Sequence, residues 1–462
     1  MRYYSTRDTS IDFSFKEVVS SGLSTEGGLF VPKEIPDLSS ELPSWAGKTY
    51  PEMAAAIFTL FADESINPNQ LEKLLEKSLG SFSHHEITPL VKKGSQYILE
   101  LFHGPTLSFK DIALQTLGQL FEDWPGESGK RTILGATSGD TGSAAIYGLR
   151  GKKGVDAYIL FPEGRVSPVQ ELQMTTVEDD NIHCISIYGS FDDCQDIVKK
   201  LFGDLPFKEQ MGLSAVNSIN WSRITSQIVY YFYGYFRWLE MSGNTYGAEL
   251  PVSVPTGNFG DILAGFMAKS MGLPLAPLVI ASNDNDILTR FHETGSYVMK
   301  GVAPTISPAM DIQISSNFER LLFFLYDGDG DKIASLMNEL KKNKEFSVSE
   351  EVLNRFRESF GAARVGKQEC LSTIKSFSDK NSYVLDPHSA VGVKGGEKVL
   401  GEGAEFMSLS TAHPGKFQDA VELALGSAYE LPPVLKVLEG KKSRKVVLPA
   451  TAAAVKEYLL NQ

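Results

Sequence analysis

Lys110 lies near the centre of LFHGPTLSFKDIALQ, residues 101–115. The apolar run from Tyr97 to Phe102 reads as a strand, breaks at His103-Gly104-Pro105-Thr106, and resumes as a helix through Ile112, Ala113, Leu114 and Leu117. The amine therefore stands at or just inside a helix start, among Leu107, Phe109 and Ile112. Partial removal from water lowers a lysine's pKa and leaves more of it neutral, the form that makes Schiff bases. An ordinary helix-start lysine keeps its ammonium in water, so Lys110 acquires meaning only from what the other stretches place around it.

Two glycine-rich turns are candidates for that surrounding. The first is Ser138-Gly139-Asp140-Thr141-Gly142 in ILGATSGDTGSAAIYG, and the second is Gly257-Asn258-Phe259-Gly260-Asp261 in VSVPTGNFGDILAGFMA. Each follows an apolar strand and opens a helix, where converging backbone N–H groups and roughly half a positive charge can hold a phosphate or carboxylate. Neither fits the dinucleotide GxGxxG or the P-loop pattern, and a single such turn is only a cheap way to leave a strand. Two together suggest a site for two anionic groups, one on a cofactor and one on a substrate. NSINWSRI, residues 217–224, adds Asn217, Ser218, Ser222 and Arg223, and the arginine could fork onto phosphate oxygens or serve as a salt-bridge residue. His388 and His413 each follow a strand and read as hydrogen-bonded loop residues more readily than as proton-transfer groups. His84 and His85, adjacent in a connector, read as solvated. Asp327, Asp329 and Asp331 imitate an EF-hand opening, but Lys332 stands where the glycine is needed and Asn338 where the glutamate is needed, so they read as a turn and helix cap.

The elements that must position these residues form a regular series. Strands at 131–136, 155–161, 182–188 and 213–216 alternate with helices at 141–149, 167–177 and 192–202, the pattern of a parallel sheet covered on both faces. Ligands of such sheets bind beyond the carboxyl ends of the strands. Further strands are expected at 250–254, 277–281, 382–385 and 405–409, with helices at 51–62, 68–79 and 261–271. IVYYFYGYF, residues 228–236, is too short for a membrane span and reads as a buried aromatic helix.

Composition narrows the partners. At 462 residues, two or three domains are expected, and 42% apolar with 22% charged residues is ordinary for a globular enzyme. A formal charge of −13 with no block of like charges argues against nucleic acid and anionic membranes as partners. Cys184, Cys194 and Cys370 form neither a disulfide framework nor a metal motif, and MRYYSTRDTS has no apolar signal core, so a cytoplasmic setting is expected.

Taken in order, STEGGLFVP, LFHGPTLSFKD, GATSGDTGSAA, NSINWSRI, PTGNFGD, DPHSAVG and STAHPGKF resemble the threonine synthases nearly end to end. That family comprises pyridoxal 5'-phosphate (PLP) lyases of fold type II, in the tryptophan synthase β-like superfamily, that make L-threonine from O-phospho-L-homoserine. The resemblance implies two parallel-sheet α/β lobes with the cofactor between them, plus an N-terminal, mostly helical domain. It divides the chain into 1–85, a large PLP-binding domain of 86–130 and 218–462 with a helical insertion around 300–361, and a small substrate-side domain of 131–217. It implies that Lys110 is the Schiff-base lysine and that Gly257, Asn258, Phe259, Gly260 and Asp261 hold the cofactor phosphate. Thr411 would face the pyridine nitrogen, and Asp140, where many fold type II relatives carry Asn, would lie by the cofactor. Ser138, Gly139 and Thr141 would take the substrate carboxylate, and Asn217, Ser218 and Arg223 its phosphate. The implied reaction is γ-elimination of phosphate followed by β-addition of water. The alternative is a threonine-synthase-like phospho-lyase that releases 2-oxobutanoate, ammonia and phosphate. No metal is implied, and a monomer or a homodimer suits the sequence equally.

Overall fold

The computed structural model describes residues 1–126 and 129–462. Its larger sheet runs in the order Phe360–Arg364, Leu278–Ser282, Val252–Pro255, Met407–Ser410, Gln96–Glu100 and Leu90–Lys93, with only the last pair antiparallel. The central strands Leu278–Ser282, Val252–Pro255 and Met407–Ser410 are short and buried throughout, as a parallel sheet between helices requires. The smaller sheet is wholly parallel in the order Val446–Pro449, Ile182–Tyr188, Val155–Pro162, Arg131–Ala136 and Leu213–Ser214. The expected α/β architecture with two parallel-sheet lobes is present.

The helix Trp221–Ser242 is buried from Trp221 through Phe236 and packs against Tyr50–Phe61, Lys110–Asp123 and Gly260–Ser270. Its aromatic run is thus core, with Tyr230, Tyr231 and Tyr235 all 0% exposed. The N-terminal region joins the same core through Tyr3, Phe15, Phe58 and Phe61, and Tyr3–Ser5 pairs antiparallel with Phe30–Pro32. Among the described residues no helix is long and apolar enough to cross a membrane.

One close approach sets the geometry between the sheets. A Cβ on Gly118 would lie 1.9 Å from the Gly148 carbonyl oxygen, and one on Gly148 would lie 2.3 Å from that of Leu114. The helices Lys110–Asp123 and Asp140–Leu149 therefore touch backbone to backbone, and the two glycines stand equally far along them. Side-by-side helices in register bring their first residues, Lys110 and Asp140, together.

Three expectations change. Residues 382–385 form no strand: Ser382 takes a left-handed φ of 50° as the C-cap of Lys367–Asn381, and Asp386 caps Pro387–Leu400. Tyr383, Val384 and Leu385 owe their apolar character to packing against the cluster of Ile98, Ile374 and Phe377, without ladder hydrogen bonds. The strand expected at 213–216 is only Leu213–Ser214. Finally, the second sheet is not confined to 131–217: Val446–Pro449 adds to it through Val446 opposite Ile185, and Ala452–Leu460 packs Val455 and Leu459 into its core. The region 300–361 carries the helices Phe318–Leu325, Gly330–Asn343 and Glu350–Ser359 and leads into the edge strand of the larger sheet. Asp329 caps Gly330–Asn343 and Asp327 pairs with Arg355 at 2.8 Å.

Candidate active site

Lys110 is the first residue of its helix and is 7% exposed. The preceding turn is held by Asp111, which accepts from the Thr106 N–H at 2.9 Å and the Thr106 hydroxyl at 2.6 Å, while Leu107 is forced to a φ of 61°. Burial pushes the Asp111 carboxyl up to about 6, against the pull of those hydrogen bonds. Burial also lowers the Lys110 pKa, although Asp140, 3.5 Å from Nζ, opposes that shift. The desolvated lysine expected from the sequence is therefore present, and it lines a cleft shared with both glycine-rich turns.

Lys110, Asp140, Thr141, Ser218, Arg223, Gly257, Asn258, Phe259, Gly260, Asp261 and Thr411 share the wall of that cavity. Ser138, Gly139 and Asn217 lie beside it rather than on it. Ser138 is exposed, Gly139 is the N-cap of Asp140–Leu149, and Asn217 accepts from the Ile219 N–H at 3.3 Å. Thr411 follows the strand Met407–Ser410, and its carbonyl accepts from the Phe109 N–H at 2.9 Å, which ties it to the residue before Lys110.

The turn 257–261 opens Gly260–Ser270, whose N-cap, Phe259, offers no side-chain acceptor. The first N–H groups of a helix have no intrahelical partner, so this start is open to an anion. Phe259 holds a φ of 63°, uncommon for an aromatic residue, and its ring is pinned between Phe318 and Phe360. Arg223 points the same way: it is 2% exposed, and neither Nε nor Nη1 has a hydrogen-bond partner. Burial brings its pKa down to about 10, so it remains a cation. An uncapped helix start fits the phosphate of a cofactor, and a buried guanidinium with unpartnered Nε and Nη1 fits a further anion beside it.

Several residues that support the site were not singled out in the sequence. Tyr230 and Tyr231 donate their hydroxyls to the already expected Asp261 at 2.5 and 3.1 Å, and burial still pushes that carboxyl up to about 6. Those tyrosines sit two turns along the helix from Arg223, a helical spacing that was legible. Asn317 donates to the carbonyls of Ser218 and Asn258 at 3.1 and 3.0 Å and so ties two walls together. Lys416 and Gln170 meet at Asp140, at 3.2 and 2.7 Å. Nothing in their local sequence announces that meeting. His388 is on the cavity wall but is engaged on both sides, by Asp386 at 2.8 Å and the Ala309 N–H at 3.2 Å. His413 accepts from the Gly415 N–H, and burial lowers its pKa to about 4.

A buried lysine at a strand-to-helix junction, opposite an uncapped helix start beyond the carboxyl ends of a parallel sheet, defines a fold type II PLP enzyme. Residues 84–339 match the family described as pyridoxal-phosphate dependent enzyme, between matches to the threonine synthase N terminus over 2–79 and the threonine synthase C-terminal region over 389–459. The chain belongs to the threonine synthase family. It is 48% identical to the threonine synthase of Schizosaccharomyces pombe, over 92% of this chain and 89% of that one. The crystal structure of PLP-bound threonine synthase from Brucella melitensis matches with a TM-score of 0.95 and 45% identity, covering 100% of this chain and 99% of that one. The yeast threonine synthase structure matches with a TM-score of 0.93 and 43% identity, covering 100% and 98%. PLP is the cofactor, and the enzyme is a lyase acting on a small molecule.

Proposed function

We propose that this chain converts O-phospho-L-homoserine and water into L-threonine and phosphate. The observation that carries the reading is Arg223, a buried guanidinium with unpartnered Nε and Nη1 that shares one cavity with Lys110 and the uncapped helix start. Two anion-binding features on one wall support a reading in which one takes the phosphate of the cofactor and the other that of the substrate.

The turn Gly257–Asn258–Phe259–Gly260–Asp261 would hold the cofactor phosphate through backbone N–H groups, and Thr411 would meet the ring nitrogen. Thr141, with the turn at Ser138 and Gly139, would orient the substrate carboxylate beside Asp140. Arg223, with Ser218 and Asn217, would hold the substrate phosphate and stabilise the charge that builds on it as it leaves. PLP supplies the electron withdrawal that acidifies the substrate's α- and β-protons. Lys110 Nζ, whose pKa burial lowers, takes up a proton at the substrate carbon and later returns one. The cavity wall, buried except at its mouth, limits the water that reaches the reacting carbons. Three buried free thiols, Cys184, Cys194 and Cys370, support a reducing, cytoplasmic setting.

Purified protein supplied with PLP is expected to show a visible absorption band that Lys110→Ala abolishes together with turnover. Full activity in Lys110→Ala would overturn the assignment of that lysine. Incubation with O-phospho-L-homoserine is expected to yield threonine; release of 2-oxobutanoate and ammonia instead would replace this reading with the phospho-lyase one.

A further inference from the structure

Lys416 sits in the short helical turn Pro414–Phe417 that follows the strand Met407–Ser410 of the larger sheet, and its side chain is 0% exposed. Its Nζ donates to the Thr106 carbonyl at 2.6 Å and to Gln173 Oε1 at 2.7 Å, and it lies 3.2 Å from Asp140 Oδ1. Thr106 belongs to the turn before Lys110, whereas Asp140 and Gln173 belong to helices of the smaller lobe. One ammonium therefore joins both lobes and the Lys110 turn. A buried lysine is costly unless fully paired, and an apolar side chain would serve packing alone. This one is fully paired, and its ionic partner is the carboxylate whose other oxygen lies 3.5 Å from Lys110 Nζ.

We propose that Lys416 is a positioning residue that fixes Asp140 across the lobe boundary and takes up its charge, leaving Lys110 able to act as a neutral amine. Without Lys416, the charge of Asp140 would bear on Lys110 unshared and raise its pKa. Gln170 keeps the carboxylate aimed between the two lysines by donating to Oδ1 at 2.7 Å. The other charged groups around Lys110 are Arg223 and Asp261, from two further helices; Asp111, on its own helix, is turned to Thr106, and His388 lies on the Asp140 side. Burial is the main cause of the lowered Lys110 pKa, and Arg223 and Lys416 both add to it, against Asp140. A desolvated lysine beside a second cation is an established way to make an amine nucleophilic.

The inference rests on the assignment of Lys110 as the lysine that bonds to PLP. It is tested on the full chain freed of cofactor and resupplied with PLP, following the growth rate of the visible band from about pH 6 to about pH 10. Lys416→Gln keeps a hydrogen-bonding side chain but loses the charge, and is expected to move the midpoint of the pH–rate profile up by about one unit. Lys416→Arg, which keeps the charge, should bring it back towards that of the unmodified chain. Equal midpoints for the Gln and Arg variants and the unmodified chain would overturn the proposal, even if unfolding temperatures fell. Asp140→Asn reads the same coupling with Lys416 intact: its midpoint should fall, and an unchanged or higher one counts against the proposal. A missing band in the unmodified chain would instead reject the assignment of Lys110.

Discussion

The two glycine-rich turns are near twins in sequence but differ in how their amides and their aspartates are satisfied. Each leaves a parallel strand and starts a helix with an aspartate in its first turn. In the turn at 137–142, the Thr137 hydroxyl accepts from the N–H groups of Gly139 and Gly142 at 3.0 and 2.8 Å, so two of its amides are satisfied by the chain itself. No side chain caps the turn at 256–261. The aspartates differ in the same sense. Burial would raise Asp140, but Lys416, Lys110 and His388 outweigh it and hold the carboxyl below the usual range. Asp261 has tyrosine hydroxyls as partners, and burial wins, up to about 6. A glycine turn thus becomes an open anion site when its amides are left uncapped, and the nearby acid is tolerated when burial favours its neutral form.

The largest effect should come from Asp140→Asn, which leaves two buried lysines without their counter-charge. A loss of roughly 3–5 kcal/mol is expected at neutral pH from urea unfolding. Because the folded-state pKa is depressed, that stabilisation is present above the unfolded pKa of about 4 and fades as pH falls towards the folded value, so the gap should close in acid. Asp261→Asn should behave in the opposite way. A raised folded pKa gives stability that is complete below about pH 4 and lost as pH rises through about 6, an effect of up to about 3 kcal/mol. The variant should therefore gain on the unmodified chain across that window, and a parallel pH dependence of the two would erase the contrast between the turns.

Arg223→Ala should raise KM for O-phospho-L-homoserine about tenfold, some 1.4 kcal/mol, with a smaller change in cofactor content. An unaltered KM would return Arg223 to a structural role. Thr137→Val is the mildest change: it removes the acceptor of two amides and should cost about 1 kcal/mol in chemical unfolding while leaving PLP content intact. Loss of PLP in this variant would show that the first turn also carries cofactor.

Much of this site was legible because its pieces are local. Lys110, the two turns and Arg223 each sit where an apolar strand gives way to glycine or a polar cap and then to a helix. The rest depends on partners far apart in the chain. Lys416 and Asp140 meet only because two lobes close on each other, and Gly118 and Gly148 look like ordinary helix glycines until the helices touch. Tyr383 to Leu385 shows the opposite error, in which an apolar triplet suggests a strand but packs between two helices without strand pairing, with only Leu385 fully buried. Val446–Pro449 shows a true strand, a β-branched run after KKSRK, whose place in the second sheet no local signal could give.

That late strand has a consequence for how the protein is made. Until the segment carrying Val446–Pro449 leaves the ribosome, the Ile182–Tyr188 strand has a bare edge, since its other neighbour, Val155–Pro162, is already in place. A bare apolar strand edge pairs readily with other chains. The smaller lobe therefore spends most of synthesis unfinished, and nascent chains stalled before residue 446 would present that edge to one another.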